Sequence, residues 1–292
     1  MSWASSDLLS PEDAVTRLQA STAKVVVIGL PTSRNASHLR ATADAPGRVA
    51  DALSRDEGNP HTEAGVDLSA AGALQVIGML ALETEDEFDR IRRVASAAFA
   101  SGKRPLFIGG DHSVSYPILA ALHEVRGSQH APAIVHFDAH PDLYDCLLGN
   151  PLSHASPFAR IMENGHASAL WQYGIRTLTP HQRAQVQRFG VHCHEMRHQA
   201  RWPAPALAGP VYVSIDLDAL DPAFAPGVAH HEPGGLSVRE LLQLLQAIPG
   251  PILGADVVEY LPQRDVQGVT AVVAAKLARE LAGAMLQGRE AV

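Results

Sequence analysis

Ala133-Ile134-Val135-His136-Phe137-Asp138-Ala139-His140-Pro141-Asp142 is the stretch on which the fold of this 292-residue chain turns. Its first half is a short, largely apolar run with β-branched residues, the pattern of a strand buried on both faces of a parallel sheet. Its second half sets Asp138, His140 and Asp142 at two-residue steps, where an extended backbone sends all three side chains to one face. Asp216 and Asp218 follow a similar run, Val211–Ile215, in the same spacing. Carboxylates crowded in this way repel strongly unless cations lie between them. Two divalent metal ions would remove that repulsion.

Working outward, comparable apolar runs occur at Lys24–Leu30, Pro105–Gly109, Ala169–Gly174 and Ile252–Val258. Helical periodicity lies between them. Glu85–Ala100 places Phe88, Ile91, Val94, Ala95 and Ala98 at three- and four-residue steps. Ser113–Val125, Ser237–Ile248 and Val266–Leu286 read the same way, with Ser237 as N-cap and Glu240 completing a capping box. Strand alternating with helix predicts an α/β fold, a mostly parallel sheet with helices on both faces. Ligands of such sheets bind beyond the C-terminal strand ends. Asp111 and His112, Asp138 to Asp142, and Asp216 to Asp218 each follow a predicted strand, so three strand ends converge on one pole. With no linker or repeat, residues 1–292 read as a single domain, residues 1–23 being a flexible or helical N-terminal extension. Leu39–Leu68 reads as loop with one short helix, and the proline-rich Gln199–Pro210 as a surface connection.

Composition narrows the function. With 23 basic and 31 acidic residues, the net charge of −8 argues against nucleic acid or an anionic membrane as partner. The two cysteines, Cys146 and Cys193, stand in no metal or redox spacing, which suits reduced thiols and a cytoplasmic location. The first twenty residues hold no apolar run of the secretory kind, and no run is long enough to span a bilayer. A soluble intracellular protein is expected.

His112, Asp138, His140, Asp142, Asp216 and Asp218 together exceed what one catalytic zinc takes, and suit two ions sharing carboxylates. The oxygen-rich set favours Mn²⁺, with Fe²⁺, Co²⁺ and Ni²⁺ left open. Such a site makes a nucleophile from water near neutral pH. Glu259 ends the Ile252–Val258 run and reaches the same pole, where its carboxylate could pair with a cationic substrate. Gly109-Gly110 could close a tight strand-to-helix turn that presents His112. His154 lies in a polar loop, Asn150 to Ser156, that opens a helix. His192, His194 and His198 form a competing metal candidate but lack carboxylates beyond Glu195, so a surface strand is the better reading. His230-His231 fits a pocket-lining loop better than a metal site.

These residues resemble the ureohydrolases, the arginase and agmatinase family of binuclear manganese enzymes. The matching stretches are Gly109-Gly110-Asp111-His112-Ser113, Asp138 to Asp142, Ser214 to Gly227, Glu232-Pro233-Gly234-Gly235-Leu236 and Asp256 to Glu259. They run in the family's order, and Asp138–Arg160 looks most like the plant-type arginases. The resemblance implies an arginase-like three-layer sandwich. It also implies one ion on His112, Asp138, Asp142 and Asp216, and a second on Asp138, His140, Asp216 and Asp218, with Asp138 and Asp216 bridging. In this picture activated water attacks a guanidinium carbon, Asp142 passes a proton to the departing amine, His154 shuttles protons, and Glu259 pairs with the guanidinium. Asn150, Ser153, His154, His230 and Glu259 would contact substrate. The products would be urea and an amine, from L-arginine first, with agmatine or another guanidino acid as alternatives. The family usually assembles as homo-oligomers, trimers or hexamers. Departures lie at the substrate's far end: the aspartates that follow the Gly-X-Arg strand in animal and bacillary arginases are missing from Gly174 to Thr179. A catalytically silent partner subunit, and a two-metal hydrolase of amides or phosphoesters, are the competing classes.

Overall fold

The apolar runs pair into one sheet because each is buried on both faces and must satisfy its backbone against neighbours. The computed structural model describes residues 8–54, 59–203, 207 and 209–288. Within them the strands are β1 (Leu8–Leu9), β2 (Val25–Leu30), β3 (Leu74–Leu80), β4 (Arg104–Gly109), β5 (Ala133–Phe137), β6 (Ala169–Ile175), β7 (His192–Glu195), β8 (Val211–Asp216) and β9 (Ile252–Val258). They form a nine-stranded sheet in the order β1-β3-β2-β4-β9-β8-β5-β6-β7. Every pairing among them is parallel. The expected mostly parallel α/β sheet is what forms.

The helices are α1 (Pro11–Ala20), α2 (Ala45–Ser54), α3 (Glu87–Ala100), α4 (Ser115–Arg126), α5 (Pro157–Glu163), α6 (Pro180–Phe189), α7 (Val238–Gln246) and α8 (Val269–Gln287). The two-residue alternation of a strand divides the core. Val25, Val27, Leu106, Ile108, Val135 and Phe137 face one layer with Val49 of α2, Leu241 of α7 and Ala274 of α8. Val26, Ile28, Phe107 and Ile134 face the other with Leu18 of α1, Ile91 of α3, Ile118 of α4 and Phe158 of α5. Helices therefore cover both faces of the sheet.

Of the flexible or helical extension expected over residues 1–23, residues 11–20 are helical, as α1, and Leu8–Leu9 add a strand: β1 pairs with β3, and Ala14 and Leu18 of α1 are buried. Residues 1–7 of the expected extension lie outside the described residues. The stretch read as loop with one short helix holds α2, and its residues 55–58 also lie outside them. The same is true of residues 204–206 and 208 in the proline-rich connection. β3, missed in the sequence, is only half-buried, so its apolar run is broken. α6 was missed because few of its residues are apolar. Its start is set instead by the reciprocal capping box of Thr179 and Gln182.

Candidate metal centre

Each ligand-bearing loop leaves a strand at the same pole. After β4 the backbone passes so close to Thr32 that a Cβ on Gly110 would lie 1.7 Å from the Thr32 carbonyl oxygen, which only glycine permits. Asp111 then caps the short 3₁₀ turn His112–Val114 by accepting from the Ser113 N–H at 3.1 Å. This turns the His112 ring inward. β8 ends on Asp216, whose Oδ1 accepts the Asp218 N–H at 2.8 Å and so starts the turn Leu217–Ala219.

β5 stops at Phe137, so Asp138, His140 and Asp142 do not alternate along an extended strand as the spacing suggested. They converge through an irregular turn in which Asp142 takes a left-handed φ of 50°. Gly174 of β6 has a φ of 101°, and a Cβ there would lie 2.8 Å from the Asp138 carbonyl oxygen, so the turn packs directly on that glycine.

The result is two adjoining groups. His112 Nδ1 lies 3.1 Å from Asp142 Oδ2 and 3.3 Å from Oδ2 of both Asp138 and Asp216. It is fully buried and has no hydrogen-bond partner. His140 Nδ1 lies 3.4 Å from Asp138 Oδ1 and 3.2 Å from Asp218 Oδ2. Asp138 thus gives one oxygen to each group. Asp216 points one oxygen at the His112 group and spends the other on a backbone N–H. A buried imidazole nitrogen without a donor or acceptor, ringed by carboxylate oxygens, fits a metal ion.

The charges agree with that fit. Burial, and then the neighbouring Asp138, push Asp142 up to about 7. Burial, Asp218 and Asp138 likewise raise Asp216 well above the carboxylate range. Burial opposes a charged His112, yet the Asp138, Asp142 and Asp216 carboxylates raise it well above its usual value. Without cations the nest holds protons in their place.

Behind the ligands, Ser214 Oγ donates to Asp256 Oδ1 at 2.6 Å, so at 2.9 Å it can only accept from His112 Nε2–H. That fixes the His112 tautomer with Nδ1 bare. Asp256, fully buried, also accepts from Tyr212 at 2.8 Å and Ser115 at 2.9 Å. His136 Nε2 lies 2.9 Å from Asp138 Oδ2, and burial drives its pKa down to about 4. Sequence reasoning gave His136 and Asp256 no role of their own, although a polar residue inside an apolar strand has to find partners and is a signal.

A cleft opens over the ligands, lined by His140, Asp142, Asp216, Asp218, Glu259, His154, His230, Ser37, Tyr144, Thr177, Thr179 and Gln182. Glu259, at a left-handed φ of 63°, accepts the His112 N–H at 2.9 Å and meets His154 Nδ1 at 2.8 Å, both on Oε1. Burial works against both charges. The mutual attraction nevertheless lifts His154 to about 9 and holds Glu259 below its usual range. Ser37 Oγ lies 2.8 Å from His154 Nε2. The His230 ring stands 5.6 Å from that of His154 and 5.8 Å from that of His140. Asn150 and Ser153 are not among the residues that line this cleft: Asn150 donates to Asn35 Oδ1 of a distant loop and accepts the Leu152 N–H, and Ser153 accepts the Ala155 N–H. Ser37, Tyr144, Thr177, Thr179 and Gln182 had no spacing to betray them as one group, being brought together from three separate segments. His192 and His194 lie on the edge strand β7, stacked on Trp171 and Tyr173 at 4.0 and 4.5 Å.

A family model described as the arginase family matches residues 23–283. A mitochondrial arginase of Medicago truncatula is 46% identical over 277 residues, covering 89% of this chain and 81% of that protein. A solved arginase structure from the same plant superposes with a TM-score of 0.87 at 42% identity, covering 94% of this chain and 93% of the other. An agmatinase of Halalkalibacterium halodurans is more distant, 32% identical over 88% of this chain and 91% of its own. Further plant relatives at 43–45% identity carry mitochondrial or chloroplastic/mitochondrial names. These names point to an organelle and overturn the cytoplasmic location expected above. Two cysteines without a disulfide between them do not give an address. The chain belongs to the arginase family.

Proposed function

We propose that this protein hydrolyses L-arginine to L-ornithine and urea with two Mn²⁺ ions. One would be held by His112, Asp138, Asp142 and Asp216, the other by Asp138, His140, Asp216 and Asp218. The observation that carries the reading is the bare, buried Nδ1 of His112 among three carboxylate oxygens at 3.1–3.3 Å, next to a second group that shares Asp138. The oxygen-rich donor set supports Mn²⁺ over zinc or copper. When bound, the ions supply a nucleophile from water at neutral pH.

The chain's own residues do the rest. Glu259, buried and anionic, draws the guanidinium to the floor of the cleft through the oxygen His154 leaves uncontacted. His154 carries a proton at the cleft mouth and passes it along as the guanidino group is cleaved. Asp142, in the cleft beside the other ligands, relays a proton to the departing amine. His230 lines the wall beside both imidazoles.

Besides its carboxylates and imidazoles, the cleft lining offers the uncharged Tyr144, Thr177, Thr179 and Gln182, of which Tyr144 and Gln182 both meet Thr179. Hydroxyl and amide groups suit the net-neutral zwitterionic head of arginine better than the lone ammonium of agmatine, which asks for a counter-charge. The plant arginases among the relatives support the same choice. We read residues 1–292 as one catalytic unit working in a homo-oligomer, a trimer or hexamer.

Protein preloaded with Mn²⁺ is expected to release urea from L-arginine at least tenfold faster, by kcat/KM, than from agmatine or 3-guanidinopropionate. A reversed ranking would reassign the substrate. No urea from any of them would overturn the reading as a ureohydrolase.

A further inference from the structure

The bridging carboxylate of the centre is gripped from behind by two buried side chains that touch no substrate. Gln172 lies on β6, beside His136 of β5 in the sheet register. Both are fully buried. Gln172 Nε2 lies 2.7 Å from the Pro141 carbonyl oxygen and 3.0 Å from His136 Nδ1. A carbonyl oxygen only accepts, so the amide end facing Pro141 has to be the nitrogen, and the flipped amide is excluded. One Nε2 hydrogen serves Pro141 and the other serves His136. His136 Nδ1 is therefore an acceptor and carries no proton. The single ring proton is on Nε2, aimed at Asp138 Oδ2 at 2.9 Å. The ring cannot swing away, since Phe158 stacks on it at 3.9 Å between centroids.

We propose that Gln172 is a positioning residue for the metal centre, acting on the shared ligand Asp138 through the neutral, tautomer-locked ring of His136. The inference rests on the binuclear reading above and concerns how that centre is held. An imidazolium facing Asp138 would offset the charge the cations need. A neutral N–H orients the carboxylate and leaves its charge intact. Asp138 Oδ1 is held in turn by the His140 N–H at 2.6 Å, so each oxygen has one protein donor and remains directed at one of the two groups. The Pro141 carbonyl in turn anchors the amide, so that its other hydrogen stays on His136 Nδ1.

Because Asp138 serves both groups, loosening it should weaken both ions together. Gln172→Met keeps the bulk and removes the donors; His136→Phe keeps the stack on Phe158 and removes the N–H. Apo protein is titrated with Mn²⁺, and affinity and stoichiometry are read by calorimetry, with circular dichroism of the apo forms as the folding control. Wild type should bind two ions. Each single variant should bind them 10- to 100-fold more weakly, the range for outer partners of a metal ligand. The double variant should lose little more than either single one, because the two residues act in series. Unchanged affinity in a folded Gln172→Met would overturn the proposal, as would losses that multiply in the double variant. If Gln172→Met does not fold, wild-type affinity in His136→Phe alone overturns it. Failure of wild type to bind two ions would instead sink the binuclear reading itself.

Discussion

His154 and Glu259 each carry a charge that burial opposes, and each depends on the other to keep it. The imidazole's pKa rises from 6.5 to about 9, so its contribution to stability is complete below pH 6.5 and disappears as pH rises through about 9. Glu259 is held below its usual value, so its part is present above pH 4.5 and is lost only on acidification through the lowered value. Across pH 5 to 9 the histidine alone sets the trend. His154→Asn in the metal-free protein should cost on the order of 3 kcal/mol near pH 6. That penalty should vanish toward pH 9.5, as read from urea denaturation of both proteins at each pH. A cost that does not change with pH would mean the pair is not ionised. At this scale the sequence offered His154 and Glu259 as candidate site residues. It could not pair them, since the contact joins loops more than a hundred positions apart.

Among the elements, strand ends carry the chemistry and local backbone rules decide how they do so. The turn after β4 works because Gly110 lets the chain pass Thr32. Gly110→Ala would place a methyl inside the Thr32 carbonyl, and should cost about 3 kcal/mol or more, with loss of the His112 position. The capping box of Ser237 and Glu240, far from the site, is worth about 1 kcal/mol, so Ser237→Ala should lower stability by that much and leave metal affinity unchanged. Thermal unfolding and metal content measured on both variants separate a site effect from a general one. If Gly110→Ala kept full stability and metal, the close approach to Thr32 would be wrong. The six buried runs and four periodic helices were legible because burial on both faces leaves an unbroken apolar word. β3 and α6 were not, because half-buried or polar elements leave none, and α1 was foreseen only as the helical one of two alternatives. α6 depends on its Thr179 cap, and β3 on its neighbours in the sheet.

For the whole molecule, folding and metal binding are one equilibrium. The native site places four carboxylates and two imidazoles in a buried nest that the unfolded chain lacks, so ions bound there stabilise the fold. Chelation should lower the unfolding free energy by about 2.7 kcal/mol for each site that was held at a hundred times its Kd. The nest carries protons when it carries no metal, with Asp142 titrating at about 7, so cations must displace them. Metal content after gel filtration should therefore rise as pH goes from 5 to 8, because in the empty nest His112 and His140 hold protons well above their usual range and Asp142 holds one up to about 7. Metal content that is flat over this range would contradict imidazole ligation.

The sequence by itself determined the α/β sheet and the pole at which its strand-end carboxylates and imidazoles gather, and it offered six candidate residues for the ions. The sheet and the pole follow from apolar runs and strand ends, which are local in the chain, whereas the two-residue spacing implied an extended strand that Asp138 to Asp142 do not form. Only the tertiary structure decided that Asp138 faces both groups, that Ser214 and Asp256 fix the His112 tautomer, and that Tyr144, Thr177, Thr179 and Gln182 line one cleft. Those facts depend on strand order. β5 lies between β8 and β6, and β9 between β4 and β8, an arrangement set by how nine strands and two layers of helices pack together.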